Sequence, residues 1–139
     1  MAQSDTVLYT ARAHTTGGRE GGASRTDDGR LDVKIAPPGA SAPGTNPEQL
    51  FAAGWSTCFL SAIKIVAGKQ KVRLPDGVAV DAEVELHANH GEFSLKARLN
   101  VHLPGIAPEV AQAIVHGAHE ICPYSKATRG NIDVALAVV

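Results

Sequence analysis

The stretch from Thr45 to Val66, T-N-P-E-Q-L-F-A-A-G-W-S-T-C-F-L-S-A-I-K-I-V, decides how the rest of the chain is read. Pro47 fixes φ near the helical value and pushes Asn46 out of the α region, which predicts a helix capped by Asn46 with Pro47 as its first residue. From Leu50 to Ala67, 13 of 18 residues are apolar and Lys64 carries the only charge. A helix that is apolar all round has to be covered on every side. Gly54, Ser56, Thr57, Ser61 and Lys64 interrupt the run and polar sequence flanks it, so a buried core helix ending near Gly68 is expected rather than a bilayer span. Cys58 stands in its middle. Burial raises a thiol's pKa and leaves it inert unless a cation comes close.

On the N-terminal side of this helix, Ala36 to Gly44 (A-P-P-G-A-S-A-P-G) is too rich in proline, glycine and small residues to hold regular structure. Ahead of it, Ala23–Thr26 and Leu31–Ile35 flank the turn signal Asp27-Asp28-Gly29 and predict a hairpin. The segment T-T-G-G-R-E-G-G before that is a glycine-flanked loop carrying Arg19. Val7, Tyr9, Ala11 and Ala13 recur at every second position, which predicts a strand with one buried face.

On the C-terminal side, Val78, Val80, Ala82, Val84 and Leu86 alternate with Asp81, Glu83 and Glu85. Beyond a turn at Asn89-His90-Gly91, Phe93, Leu95, Ala97, Leu99 and Val101 alternate with Ser94, Lys96, Arg98 and Asn100. A hairpin of odd pairing sum sets the acidic outer face of the first strand against the basic outer face of the second, and that fixes its register. Pro108 opens a second helix to about Glu120, with Val110, Ile114, Val115 and Ala118 as its apolar stripe. Cys122 precedes Pro123, leaves the α region and is placed to cap a short third helix that runs to about Arg129 and closes at Gly130. Ile132, Val134, Leu136 and Val138 predict a last strand. The order of three strands, helix, two strands, two helices and strand is α+β with mostly antiparallel pairing. One sheet covers only one side of the central helix, so a second copy of the chain is expected to cover the other.

With 139 residues, a single domain spanning 1–139 is expected. A net charge of -1 with mixed signs gives no reason to expect nucleic acid or an anionic membrane as a partner. The start, M-A-Q-S-D-T, has neither a basic n-region nor an apolar h-region, which makes the cytoplasm the expected compartment. In such a reducing compartment a static disulfide between two cysteines 64 positions apart (122 minus 58) is not expected. Any pairing of Cys58 with Cys122 would belong to the chemistry.

A cysteine on a buried helix and a cysteine at a helix N-terminus, where free amides favour a thiolate, suggest thiol redox work. Two unrelated core cysteines are the plainer alternative. Glu48 falls in the first helical turn, where a carboxylate suits the helix dipole. It lies about 80° around and about 15 Å along the helix from Cys58, so the two do not touch, but an arginine anchored by Glu48 reaches toward the thiol. The loop around Arg19 is able to supply one. His116, His119 and Cys122, spaced three apart, raise a metal site, but no fourth ligand is evident and none is expected. A Cys-His hydrolase needs a histidine near Cys58 and an oxyanion hole, neither of which can be read. A non-catalytic module binding an apolar ligand remains as a reading from another class.

Three separated motifs carry a resemblance: G-G-R-E-G at 17–21, N-P-E-Q-L-F-A-A-G at 46–54, and H-E-I-C-P-Y-S-K-A-T-R-G-N-I at 119–132. Together they resemble the organic hydroperoxide resistance (Ohr) subgroup of the Ohr/OsmC family, over nearly the whole chain. The resemblance implies an OsmC-like fold in an intertwined homodimer with its active sites at the interface. It implies a cysteine peroxidase without a cofactor that reduces organic hydroperoxides, with Cys58 as peroxidatic and Cys122 as resolving cysteine. By the same carry-over Arg19 lowers the pKa of Cys58, Glu48 holds Arg19, and a dithiol or lipoylated protein restores the thiols. Phe51, Trp55, Phe59 and Ile63, on the helix within about two turns of Cys58, are the candidate apolar walls of the substrate approach. Trp55, Ser56 and Thr57 depart from the smaller or tyrosine-like residues of the family, which bears on the shape of that approach. The OsmC branch, with broader substrate range, is the nearest alternative.

Overall fold

The computed structural model describes residues 5–139. Met1 to Ser4, on which the reading of the chain's start partly rests, lie outside the described residues. The chain divides into two compact units, one ending at Pro47 and the other Glu48–Val139. Each holds its own three-stranded sheet.

In the first unit β1 (Ala13–Thr16), β2 (Ala23–Thr26) and β3 (Asp32–Lys34) form an antiparallel meander in that order. The β2–β3 turn is closed as its sequence demands. The Thr26 hydroxyl donates to Asp28 Oδ1 at 2.8 Å, the Arg30 amide donates to the same oxygen at 3.0 Å, and Gly29 takes a φ of 73°. The strand expected over Val7–Ala13 is not formed. The β1–β2 ladder runs out at Ala13↔Thr26, just before the Asp28-Gly29 turn, so residues 5–11 have no partner strand among the described residues of the unit. Alternation marks a segment fit for pairing but does not supply the pair. Val7, Leu8 and Tyr9 stand 78%, 94% and 78% exposed.

The second unit is built on α1 (Pro47–Lys69), which begins at the proline that marks it in the sequence. By length and composition this helix could cross a bilayer, but Trp55, Phe59, Ala62, Ile63, Val66 and Ala67 are buried with the core of β5 and α2. Fully burying a side chain such as Phe59 or Ile63 contributes about 1.5–3 kcal/mol. The hairpin of β4 (Ala79–Asn89) and β5 (Glu92–His102) turns at His90 and Gly91, both with positive φ, as a two-residue hairpin loop requires. Its register sets Glu83 opposite Arg98 and Glu85 opposite Lys96, the expected acidic-to-basic match. Ala97, Leu99 and Val101 face the core, whereas Phe93 and Leu86 at the hairpin tip overhang it, 74% and 45% exposed.

The chain leaves β5 through α2 (Pro108–Ile121) and α3 (Pro123–Thr128) and returns as β6 (Asp133–Val138). β6 lies parallel to β5, the only parallel ladder among the described strands, because a helical crossover returns the chain in the same direction. Ala111, Ile114, Val115 and Ala118 form the buried stripe of α2. The molecule is thus α+β with mostly antiparallel sheets and a central helix.

Candidate active site

Cys122 is the pivot between α2 and α3. Its backbone is extended (φ -62°, ψ 124°), as a residue before proline must be. Its amide still donates to Ala118 O at 2.8 Å to end α2, and its carbonyl accepts from Lys126 N at 2.9 Å to begin α3. That kink turns its fully buried thiol toward α1, where it lies beside the partly exposed thiol of Cys58, close enough to shift its ionisation. Both cysteines are free.

Burial pushes the Cys58 thiol above its ordinary pKa, and the neighbouring Cys122 thiol pushes it further in the same direction. The amide of Tyr124, in the first turn of α3, donates to Cys58 and opposes them. The sequence points those helix-start amides at Cys122, but the kink at Cys122 aims the Tyr124 amide at Cys58 instead. With burial the largest effect, Cys58 needs a cation from elsewhere to be a thiolate at neutral pH.

The surroundings of the pair are aromatic. The Phe51 ring stands 5.5 Å from Trp55, and Tyr124 meets Phe51 edge-on at 6.0 Å and 81°. Gly54 makes room for Tyr124, since a Cβ there would lie 3.0 Å from its hydroxyl. Trp55 is fully buried and its indole N–H donates to the buried Ser125 hydroxyl at 3.3 Å. Ser56 and Thr57 satisfy their hydroxyls on the helix itself, at Ala52 O and Ala53 O, both 2.7 Å.

Of the four candidate wall residues, Trp55, Phe59 and Ile63 are wholly in the core, whereas Phe51 is only partly buried. Tyr124, 41% exposed, joins Phe51 on the accessible side. It was visible in the sequence only as part of the motif at 119–132, because no spacing reveals that α3 folds back onto α1. Glu48 lies in the first turn of α1, partly buried. Arg19, also partly buried, is carried in the first unit by a 3-10 turn, Gly18–Glu20. The loop around it is built rather than merely pliable. Gly17, Gly18 and Gly21 have φ of 73°, 65° and 118°, and a Cβ on Gly22 would run into the Thr16 carbonyl and the Gly18 backbone. His116 pairs with Glu120 at 3.1 Å.

A sequence profile described as OsmC-like protein matches residues 12–137. The organic hydroperoxide resistance protein of Xanthomonas axonopodis pv. citri is 47% identical over 142 residues, covering 99% of each chain. Among solved structures, an organic hydroperoxide resistance protein from Legionella pneumophila superposes with a TM-score of 0.89 at 46% identity, over 96% of this chain and 98% of that one. The organic hydroperoxide resistance protein OhrB of Bacillus subtilis superposes with a TM-score of 0.90 at 42% identity, over 96% of this chain and all of the other (100%).

Proposed function

We propose, on the premise that this chain belongs to the OsmC-like family and within it to the organic hydroperoxide resistance proteins, that it is a thiol peroxidase reducing organic hydroperoxides to alcohols. The observation that carries this reading is the contact between the Cys58 and Cys122 thiols at the foot of a half-open aromatic wall. The Cys58 thiolate attacks the terminal peroxide oxygen, the O–O bond breaks, and the alkoxide takes a proton and leaves as alcohol, with Cys58 left as a sulfenic acid. The Cys122 thiol then attacks that sulfur, water leaves, and a disulfide joins the two. A dithiol, free or on a lipoylated protein, returns both thiols and is itself oxidised to a disulfide.

Arg19 is the cation that this scheme requires, since its guanidinium favours the thiolate and the developing alkoxide together. Glu48 fixes the guanidinium plane by a two-point contact that lysine cannot copy. Phe51 and Tyr124 border the approach, with Trp55, Phe59 and Ile63 behind them. The protein works as a homodimer in the cytoplasm. The outer face of α1, with Ala53, Thr57, Ser61, Lys64 and Ile65 exposed, and the uncovered Val7, Leu8 and Tyr9 favour a second copy as their cover.

An apolar approach discriminates among peroxides. A tail that buries about 100 Å² of apolar surface gains roughly 2.5 kcal/mol, nearly two decades in affinity, whereas hydrogen peroxide gains nothing. With dihydrolipoamide as reductant, kcat/KM for cumene hydroperoxide is expected to exceed that for hydrogen peroxide by at least about tenfold. Equal efficiencies would reject the assignment.

A further inference from the structure

Trp55 stands three residues before Cys58 on α1, and Ser125 stands three residues after Cys122 at the start of α3. Cys58 meets Cys122, and Trp55 meets Ser125. The two segments therefore run antiparallel past each other and are joined by two rungs about one helical turn apart. Beside them, Gly54 lets Tyr124 lie close against α1. Three contacts in succession thus hold the first turn of α3 on the face of α1 that carries Cys58.

The rungs differ in what they do during a catalytic cycle. The thiol rung has to change, since closing the disulfide draws two free, neighbouring sulfurs to about 2.05 Å and admits a narrow range of dihedral angles. The indole rung has no chemistry of its own. It is buried on both sides, Trp55 and Ser125 being wholly inaccessible. A buried indole N–H has to keep an acceptor, and among the described residues the Ser125 hydroxyl is the one hydrogen-bonded to it. Ser125 is held in turn by α3, its carbonyl accepting from Arg129 N at 2.9 Å and from the Thr128 hydroxyl at 3.2 Å.

We propose that the Trp55–Ser125 hydrogen bond is a positioning device for the resolving step, holding Cys122 in register with Cys58 so that the sulfenic acid is captured by the second thiol before another hydroperoxide reaches it. This rests on the peroxidase reading above. The competition is between two fates of one sulfur. Attack by the Cys122 thiol expels water and forms the disulfide, whereas attack by the Cys58 sulfenate on a second hydroperoxide gives the sulfinic acid and one more alcohol. Loosening α3 slows the first without touching the second. Trp55 and Ser125 are positioning residues, as neither contacts the reacting oxygen.

The test is to mix reduced protein with excess cumene hydroperoxide, quench after a single turnover, and measure disulfide and Cys58 sulfinic acid by mass spectrometry. Ser125→Ala is expected to consume the first equivalent of hydroperoxide within about twofold of the wild-type rate, yet to raise the ratio of sulfinic acid to disulfide about five- to tenfold, the weight of one hydrogen bond. Trp55→Phe, which keeps an aromatic ring and removes the donor, should raise that ratio similarly. The double variant should be no worse than either single one, because both remove the same bond. A purely structural role would slow both steps alike, and that result overturns the proposal. So does a wild-type ratio in both single variants, or strict additivity in the double. If the wild-type protein itself consumes no hydroperoxide, the underlying peroxidase reading fails as well, a result distinct from failure of the rung alone.

Discussion

Cys58 and Cys122 are held by helical backbone and by side chains packed into the core, whereas Arg19 is held by a loop in which three glycines take positive φ and a fourth lies against the backbone it faces. The thiol pair sits among packed side chains, whereas the backbone that carries Arg19 is shaped by the glycines around it. On the mechanism proposed above, the sulfurs would be kept in register by one part of the chain and activated by a charge that another part supplies. It also means that the two halves should fail differently. Loss of the charge should lower reactivity and leave the pairing intact, whereas loss of packing should spoil the pairing.

The largest effect expected from this contrast is on the charge. Arg19→Ala should slow hydroperoxide reduction at pH 7 by about two to three orders of magnitude, since both the thiolate and the leaving alkoxide lose their cation. The sign of its pH dependence follows from Cys58, whose burial and thiol neighbour both hold its pKa above the ordinary value. Without Arg19 the thiolate becomes populated only as pH rises, so the variant's rate should climb about tenfold per pH unit until Cys58 ionises. It should level off below wild type, because the alkoxide remains unstabilised. Arg19→Lys should stay poor, as it restores the charge without the fork. A near wild-type rate in Arg19→Ala, read from hydroperoxide consumption, would assign the activation of Cys58 to another cation.

A smaller effect is expected from the loop's backbone. Gly22→Ala places a methyl against the Thr16 carbonyl and the Gly18 backbone, and the loop has to shift to admit it. Because such a shift displaces the arginine without removing it, the rate should fall about tenfold, less than for Arg19→Ala. Prolonged exposure to hydroperoxide should still give the full yield of disulfide. A Gly22→Ala protein with an unchanged rate would show that the tight loop does not set the arginine's position, and the contrast drawn above would lose one side.

What could be read from the sequence follows the same division. Pro47 places the start of α1, the paired charges of β4 and β5 set the hairpin register, and Pro123 forces the kink at Cys122, because each acts through its immediate neighbours. Val7–Ala13 misleads because pairing needs a second strand, and Phe93 because a strand can outrun the core it faces. The aim of the Tyr124 amide at Cys58 and the Trp55–Ser125 bond join residues 66 and 70 positions apart (124 minus 58, and 125 minus 55). Nothing local encodes them. For Arg19 and Glu48 the sequence offers a plausible reach, and their joint role rests on the family motifs.

The central claim is that one chain carries a complete peroxide-reducing thiol pair. Mass spectrometry of the reduced protein before and after one equivalent of cumene hydroperoxide tests it directly, with tryptic mapping under non-reducing conditions. The account predicts the loss of two hydrogens per chain and one cross-linked peptide joining Cys58 to Cys122 of the same chain, with Cys122→Ser stopping instead at a sulfenic acid that oxidises further. Two thiols left unmodified, or a disulfide found only between chains, would contradict it.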